Sequence, residues 1–519
     1  MYILVFGERN LLNSCIFLYE KQEKRNTKEK RGKIGEMNMV LKGLQPEGVF
    51  GYFEKISSIP RGSGNCKYIA DFLLDFAKKN KLEYMKDEIG NIVIRKDATL
   101  GYENAPGIIL QGHMDMVCVA TEKRKIDFEK EGIALQTDGE RIWAEQTSLG
   151  ADDGIAIAYA LEILASNTIP HPSMEVLFTV DEEIGLVGAN AFNPKILRGS
   201  RMINLDSENE GIITISCAGG ARAIGTIPIE WKIRDGICLQ LQIQGLQGGH
   251  SGIEIQKNRV NANQLLGRVL TYLHEKCFYY LGKVEGGKKE NAIPYEATAI
   301  LYVKEEEKEK IQKEFQIFYN RIQKEFSITE PYVQINFTEE KGEEKMLTKE
   351  TTEKIIFFLY HSPNGIITMN PTLTDMVQSS LNLGMIYLEQ ERIKIKYSIR
   401  SSVTSEKEEI KERLDAFFRY IGGTISFYAE YPAWEYREDS SLRDIAIKAY
   451  HAVYNDIPKV MSIHAGLECG IFVGKRPDLD CISFGPDITN AHTVKETIDV
   501  ESVHRTWNFL LEILRRSRR

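Results

Sequence analysis

Ile108-Ile-Leu-Gln-Gly-His113-Met-Asp115-Met-Val117 is the stretch on which the reading of this chain turns. An apolar run ends at a glycine, and a histidine and an aspartate follow two residues apart before apolar residues resume. Side chains two apart on a strand share a face, so His113 and Asp115 point the same way where a short buried strand gives way to a loop. An imidazole with a carboxylate beside it suits a metal site, the carboxylate fixing the ring or serving the chemistry. A half-buried strand end carrying one His and one Asp would look the same in isolation. What decides between the two is the set of residues that ends the other strands.

Working outward, the pattern recurs. Thr147-Ser-Leu-Gly-Ala-Asp152-Asp153-Gly154 precedes an Ala-rich apolar helix, Ile155 to Leu164, where the two acids could equally serve as a helix N-cap. Met174-Glu-Val-Leu-Phe-Thr-Val180 reads as a strand ending in Asp181-Glu182-Glu183, and Arg201-Met-Ile-Asn-Leu205 as a strand ending in Asp206-Ser-Glu208. Upstream, Val49, Phe50, Phe53 and Ile56 fall at helical spacing, and Lys67 to Asn80 reads as an amphipathic helix. Near the end, Asp480 to Phe484 reads as a strand, Ile488-Thr-Asn-Ala-His492 as a loop and Val503 to Leu514 as a helix. Strands alternating with helices imply an α/β fold, a mixed sheet flanked by helices, in which ligands gather at the carboxyl ends of strands.

Around Gly219-Gly220 the character changes. From there to about Tyr431 the chain carries alternating strands (Leu239 to Ile243, Ala297 to Val303, Tyr332 to Phe337, Ile393 to Ile399) and charged helices (Lys304 to Tyr319, Lys407 to Arg419). This predicts an inserted α+β domain over 220–432, interrupting a catalytic domain built from 39–219 and 433–519. Residues 1–38 contain the Lys/Arg/Glu-rich segment Lys21 to Lys33 and read as a disordered leader, with Met37 or Met39 an alternative start.

Composition narrows the function classes. A chain of 519 residues exceeds one ordinary core, and 43% hydrophobic with 27% charged residues is the balance of a globular protein in water. A formal charge of −8 leaves no basic footprint, which argues against nucleic acid as a partner. The eight cysteines are scattered without a C-x-x-C pair, fitting reduced thiols in a cytoplasmic protein rather than a disulfide framework or a thiolate zinc site. The opening Met1 to Phe6 is too short to span a bilayer and lacks a basic region before it, so neither a membrane partner nor a signal peptide is expected.

Taken together, the element ends supply His113, Asp152, Glu183, Asp206 and His492. Two imidazoles and three carboxylates suit a pair of zinc ions, with a terminal His and a terminal carboxylate on each and one Asp between them. Manganese or cobalt would accept the same donors. A free carboxylate must then move the proton of the attacking water to the leaving amine, and Glu182 is placed for it.

Gln-Gly-His113-Met-Asp115, Leu-Gly-Ala-Asp152-Asp-Gly, Asp-Glu182-Glu183-Ile-Gly, Asn-Leu-Asp206-Ser-Glu and Ala-His492 resemble the motifs of the co-catalytic zinc peptidases related to carboxypeptidase G and aminoacylase. Ile-Pro60-Arg-Gly-Ser-Gly-Asn65, Gly-Gly249-His250-Ser-Gly252, Asn291-Ala-Ile-Pro294 and His464-Ala-Gly-Leu-Glu-Cys-Gly470 are similar to those of its bacterial aminoacyl-histidine (Xaa-His) dipeptidase branch. The match runs from about Val49 to the C-terminus in compatible order.

The resemblance implies a metal-dependent dipeptidase. His113 and Asp206 would hold one zinc, Glu183 and His492 the other, and Asp152 would bridge them. Asp115 would orient His113, Glu182 would act as general base, and the Asp152–Asp153 peptide would be cis. The inserted domain would be a lid and possible homodimer surface, with His250 stabilising the oxyanion. Asn291, Arg400 and Gly466 would bind the carboxylate end and backbone of a small peptide. The alternatives within the family are an aminotripeptidase and an N-acyl-amino-acid amidohydrolase.

Three positions depart from the pattern. Asp153 stands where Asn is expected, adding negative charge near the metals. Thr493-Val-Lys-Glu496 replaces Ser-Pro-Asp-Glu, so that loop is set differently. Tyr295 replaces a basic residue, which leaves the substrate preference open.

Overall fold

The computed structural model describes residues 39–371 and 376–518; the segment read as a leader, Met37 included, lies outside them. The fold is mixed α/β, built on two large sheets. The first has eight strands in the spatial order Glu83–Lys86, Ile92–Lys96, Met174–Thr179, Ile108–His113, Arg201–Asn204, Asp480–Ser483, Ile212–Cys217, Lys459–Ile463. Ile108–His113 lies at its centre, parallel to Met174–Thr179 on one side and to Arg201–Asn204 on the other. All three are buried along their whole length, which is why they read as near-continuous apolar runs rather than alternating ones.

Alternate residues of these strands feed two cores. Ile108, Leu110, Val176 and Phe178 pack with the helices Glu47–Ser57, Ala151–Ala165, Ser441–Tyr454 and Val500–Arg516. Ile109, Leu177 and Met202 pack on the opposite face with Phe472 and Ile471 of the helix Glu468–Lys475. The chain moves from one neighbour of the central strand to the other, so the crevice of this sheet opens at the carboxyl ends of these three strands. His113 closes the first of them.

The second sheet lies within the span 219–431. Its path runs Gln334–Glu339, Ile237–Gln244, Ala297–Val303, Tyr280–Gly286, Val377–Leu388, Arg392–Ser401, Gly219–Pro228, Thr424–Tyr431, and Gly365–Met369 pairs off it onto Val377–Leu388. The helices Ala262–Lys276, Lys308–Glu325, Lys349–His361 and Thr404–Tyr420 share one core with it. The chain enters through Gly219 and leaves through Tyr431, and the two passages are hydrogen-bonded neighbours, with Gly220 opposite Tyr431.

Two local expectations change. Gly219-Gly220, where the character of the sequence changes, begins a ten-residue strand that is not among those expected from the sequence, and Gly220 is needed there because a Cβ would collide with the Tyr431 ring. The stretch from Ile488 to His492 is not all loop. Ile488–Thr489 pairs with Thr497–Asp499, which joins Arg141–Ala144 and Leu135–Thr137 in a four-stranded sheet. The partners lie some 350 residues away in sequence, beyond the reach of a local reading. His492 stands in the turn between the paired strands with φ of 63°.

Candidate metal centre and active site

His113, Glu183 and Asp206 arrive from the carboxyl ends of the three central strands, Asp152 from the start of the helix Ala151–Ala165, and His492 from the hairpin turn. His113 Nε2 lies 2.9 Å from Asp152 Oδ1 and 3.5 Å from Asp206 Oδ1. His492 Nε2 lies 3.0 Å from Asp152 Oδ2 and 2.8 Å from Glu183 Oε1. Each oxygen of the Asp152 carboxylate therefore faces a different imidazole. Asp115 Oδ1 is 3.4 Å from His113 Nδ1, behind the ring. Asp115 also accepts the backbone N–H groups of Glu182 (3.0 Å) and Glu183 (3.3 Å) and the Ser63 hydroxyl (2.8 Å). One carboxylate thus fixes the backbone at Glu182 and Glu183 and lies behind the His113 ring, whose buried Nδ1 has no hydrogen bond. The peptide bond between Asp152 and Asp153 is cis, and Asp153 Oδ2 accepts the backbone N–H of His113 at 3.1 Å.

Anionic groups crowd this crevice. Burial works against charging His113, yet Asp206, Asp115 and Asp152 outweigh it and hold its pKa well above the usual value. Contacts with Asp152 and Glu183 lift His492 to about 11. Burial, with like charges around them, pushes Asp206, Glu208 and Glu468 up to about 7 and Glu182 well above the carboxylate range. Burial also opposes ionising Asp152 and Asp115, but the histidines pull Asp152 down and His113 brings Asp115 to about 2. Glu183 Oε1 is buried and lacks hydrogen-bond geometry even though His492 Nε2 is 2.8 Å away. Carboxylate oxygens and imidazole nitrogens that face one another this closely, with His113 Nδ1 and Glu183 Oε1 buried and unpartnered, fit divalent cations between them. The ligand atoms of Asp152, Glu183 and His492 fall within 4.8 Å of one another, as do those of His113, Glu182 and Glu183 and those of His113, Asp153 and Asp206.

A second cluster forms where the two sheets meet. Arg400 is buried on the strand Arg392–Ser401, its Nη1 donating to the Tyr431 hydroxyl at 3.2 Å and its Nε left without a partner. Gly466 packs against the Tyr431 ring, and Gly252 against the guanidinium of Arg400 and the carbonyl of His464. His464 Nε2 shares a 2.7 Å hydrogen bond with Ser380 Oγ, tying the first sheet's domain to the second. His250 sits opposite Ala292 in a two-strand ribbon, next to Asn291, whose carbonyl accepts the Ser251 N–H at 3.0 Å. His250 Nδ1 accepts N–H groups from Gly252 and Ile253, both at 3.2 Å. Burial and the nearby Arg400 lower its pKa. The ring is therefore neutral with its proton on Nε2, an unspent donor.

Residues 109–516 match Peptidase family M20/M25/M40. The chain belongs to that family. It is 33% identical over 477 residues to the cytosol non-specific dipeptidase of Escherichia coli K12, covering 92% of this chain and 98% of that protein. The crystal structure of an aminoacylhistidine dipeptidase from Vibrio alginolyticus is similar to it, with a TM-score of 0.86, 34% identity and coverage of 92% of this chain and 97% of that one. The aminopeptidase PepT from Bacillus cereus shares the fold alone, with a TM-score of 0.53 at 15% identity, covering 92% of this chain and 100% of that chain. Membership makes the protein a hydrolase of peptide bonds. Among the described residues no helix is long and apolar enough to cross a membrane, and the seven cysteines described are free thiols.

The reading from sequence gave no role to several residues that shape this M20/M25/M40 site. Glu468 is fully buried, with Oε2 accepting from Gln111 Nε2 (2.5 Å) and Thr179 Oγ1 (2.7 Å) beneath the strand ends. Its signal was a lone acid in the apolar run Leu467-Glu-Cys-Gly-Ile-Phe472. Tyr431, which holds Arg400, was visible only as a domain boundary. Ser63 lies in the loop Ile59 to Asn65, and nothing in the local sequence connects it to Asp115, 52 positions on.

Proposed function

We propose that this member of the M20/M25/M40 family is a metal-dependent dipeptidase that cleaves free dipeptides, with a C-terminal His favoured. The single observation that carries the reading is Asp152, held with one carboxylate oxygen toward each of two histidines, beside the unused carboxylate of Glu182. His113 and Asp206 would hold one divalent cation, Glu183 and His492 the other, with Asp152 between; zinc suits these donors, and manganese or cobalt would be accepted. Such a pair supplies Lewis-acid polarisation of a scissile carbonyl and acidification of a water.

The chain's own residues do the rest. Glu182, positioned by the bond from its backbone to Asp115, takes the proton of the attacking water and delivers it to the leaving amine. His250 donates from Nε2 to the developing oxyanion, and Asn291 flanks it. Arg400, with its Nε free and its Nη1 on Tyr431, binds the terminal carboxylate, and Gly466 leaves room for the peptide backbone. The unit 220–432 acts as a lid that excludes water, and is the surface through which a homodimer would form. The location is cytoplasmic, in keeping with the name of the Escherichia coli relative.

The test is a hydrolysis panel of free and N-acylated dipeptides with added metal. Free dipeptides are expected to be cleaved, Xaa-His fastest. Cleavage of only the N-acylated members would identify an amidohydrolase instead, and a requirement for three residues an aminotripeptidase. Replacing His250 with alanine is expected to lower kcat about 10²-fold, the typical cost of one oxyanion donor, with little change in metal content. An unaltered kcat would remove His250 from the mechanism.

A further inference from the structure

Two buried ionic side chains outside the ligand set meet at the turn that delivers Asp152. Arg61, 2% exposed, directs its guanidinium to main-chain carbonyls. Its Nη1 donates to the carbonyls of Met114 (3.1 Å) and Asp115 (2.8 Å), and its Nη2 to that of Gly150. Glu496, also 2% exposed, takes the opposite groups. Its Oε2 accepts the N–H of Leu149 (2.8 Å) and of Gly150 (3.0 Å), and its Oε1 that of Ala151 (2.8 Å). The turn is thus gripped through a carbonyl by a cation and through three consecutive N–H groups by an anion. Gly150 has φ of 68°, and a Cβ there would meet the Arg61 guanidinium and the Met116 sulfur, both at 2.6 Å, so the fit admits no side chain.

These two residues connect three segments far apart in sequence. Met114 and Asp115 directly follow His113, Leu149 to Ala151 directly precede Asp152, and Glu496 lies four positions after His492. We propose that Arg61 and Glu496 are positioning residues that set the mutual register of His113, Asp152 and His492. This rests on the dinuclear reading of those side chains. The physical reason is that a buried charge is costly unless its hydrogen-bonding capacity is met, and that charge-assisted bonds are the strong ones. Met by backbone groups of residues 114–115 and 149–151, with Arg61 Nε alone left unpartnered, the two charges hold these segments to each other and to the loop of Glu496 far more firmly than apolar packing would. A displacement at Leu149 to Ala151 moves both oxygens of Asp152 at once, and so disturbs both imidazole contacts. Glu496 also satisfies N–H groups at the start of Ala151–Ala165 that the helix itself leaves open.

The experiment is zinc titration calorimetry on chelator-stripped protein, alongside thermal unfolding of stripped and zinc-loaded forms and steady-state kinetics. Glu496→Gln keeps the shape, but its amide nitrogen cannot accept an N–H. Arg61→Lys keeps the charge, but a compact ammonium cannot span the three carbonyls as the planar fork does. Each is expected to weaken at least one zinc equivalent about 10–100-fold, the usual cost of losing a group that orients a ligand. Both variants should unfold at a lower temperature than wild type, with the larger loss in the zinc-loaded form; KM should hold, and excess zinc should restore kcat. Wild-type protein that binds two equivalents beside variants of unchanged affinity would overturn the proposal alone. So would equal loss of stability in stripped and loaded forms with affinity unmoved, the signature of a merely structural role. Wild-type protein that takes up no zinc would overturn the dinuclear reading and this inference with it.

Discussion

Glu182→Gln is expected to lower kcat by about 10²–10⁴-fold, the range a positioned general base contributes, while zinc content stays at the wild-type value and KM changes little. The substitution is nearly isosteric and leaves the backbone N–H of Glu182 on Asp115, so the strand end that also carries Glu183 keeps its position. What is lost is a group able to take up a proton and release it within one turnover. Glu182 suits that task because it is held near His113 and Glu183 yet is not needed to complete the pairings of Asp152. Zinc analysis and Michaelis–Menten kinetics on the same preparation separate the outcomes. Loss of zinc with the activity would make Glu182 a ligand. Near-normal kcat would pass the proton transfer to another group, and fully buried Glu468, with Oε1 unpartnered, would be next in line.

How much of this could be read in the sequence follows from how local each determinant is. The central strands were legible because burial on both faces forces continuous apolar runs, and a run that ends abruptly in His113 or Asp206 is visible in a window of ten residues. His492 and Asp152 are legible only as members of the whole set, since a loop histidine and a pair of acids before a helix have ordinary explanations of their own. The positioning residues were out of reach. Arg61 acts on carbonyls 53, 54 and 89 positions away, and Glu496 on N–H groups about 346 away. Backbone groups carry no sequence signal, so a side chain that binds only backbone leaves no partner to search for. The same holds for the hairpin bearing His492, whose sheet partner is the distant strand Arg141–Ala144.

Asp152→Ala should be more damaging to the metal centre than loss of any ligand at its edges. Its two oxygens lie 2.9 Å from His113 Nε2 and 3.0 Å from His492 Nε2, so one substitution removes a donor from both halves. His492→Ala removes a donor from one half only, and His492 is the exposed member of the set. Desalted wild-type protein is expected to retain two zinc ions, His492→Ala one, and Asp152→Ala fewer than one. Lewis-acid stabilisation is worth several kcal/mol, and at about 1.4 kcal/mol per tenfold its loss lowers kcat/KM by about 10³-fold or more. The carboxyl groups that remain sharpen the contrast. With Asp152 gone, Glu183, Asp206 and Glu182 still crowd the crevice, so the variant should bind added zinc weakly and in the wrong place rather than not at all. Excess metal would then raise the zinc content of Asp152→Ala without restoring turnover, whereas it should rescue His492→Ala in part. Recovery of both variants to the same degree would mean that Asp152 does not bridge, and that the two halves of the site bind their ions independently.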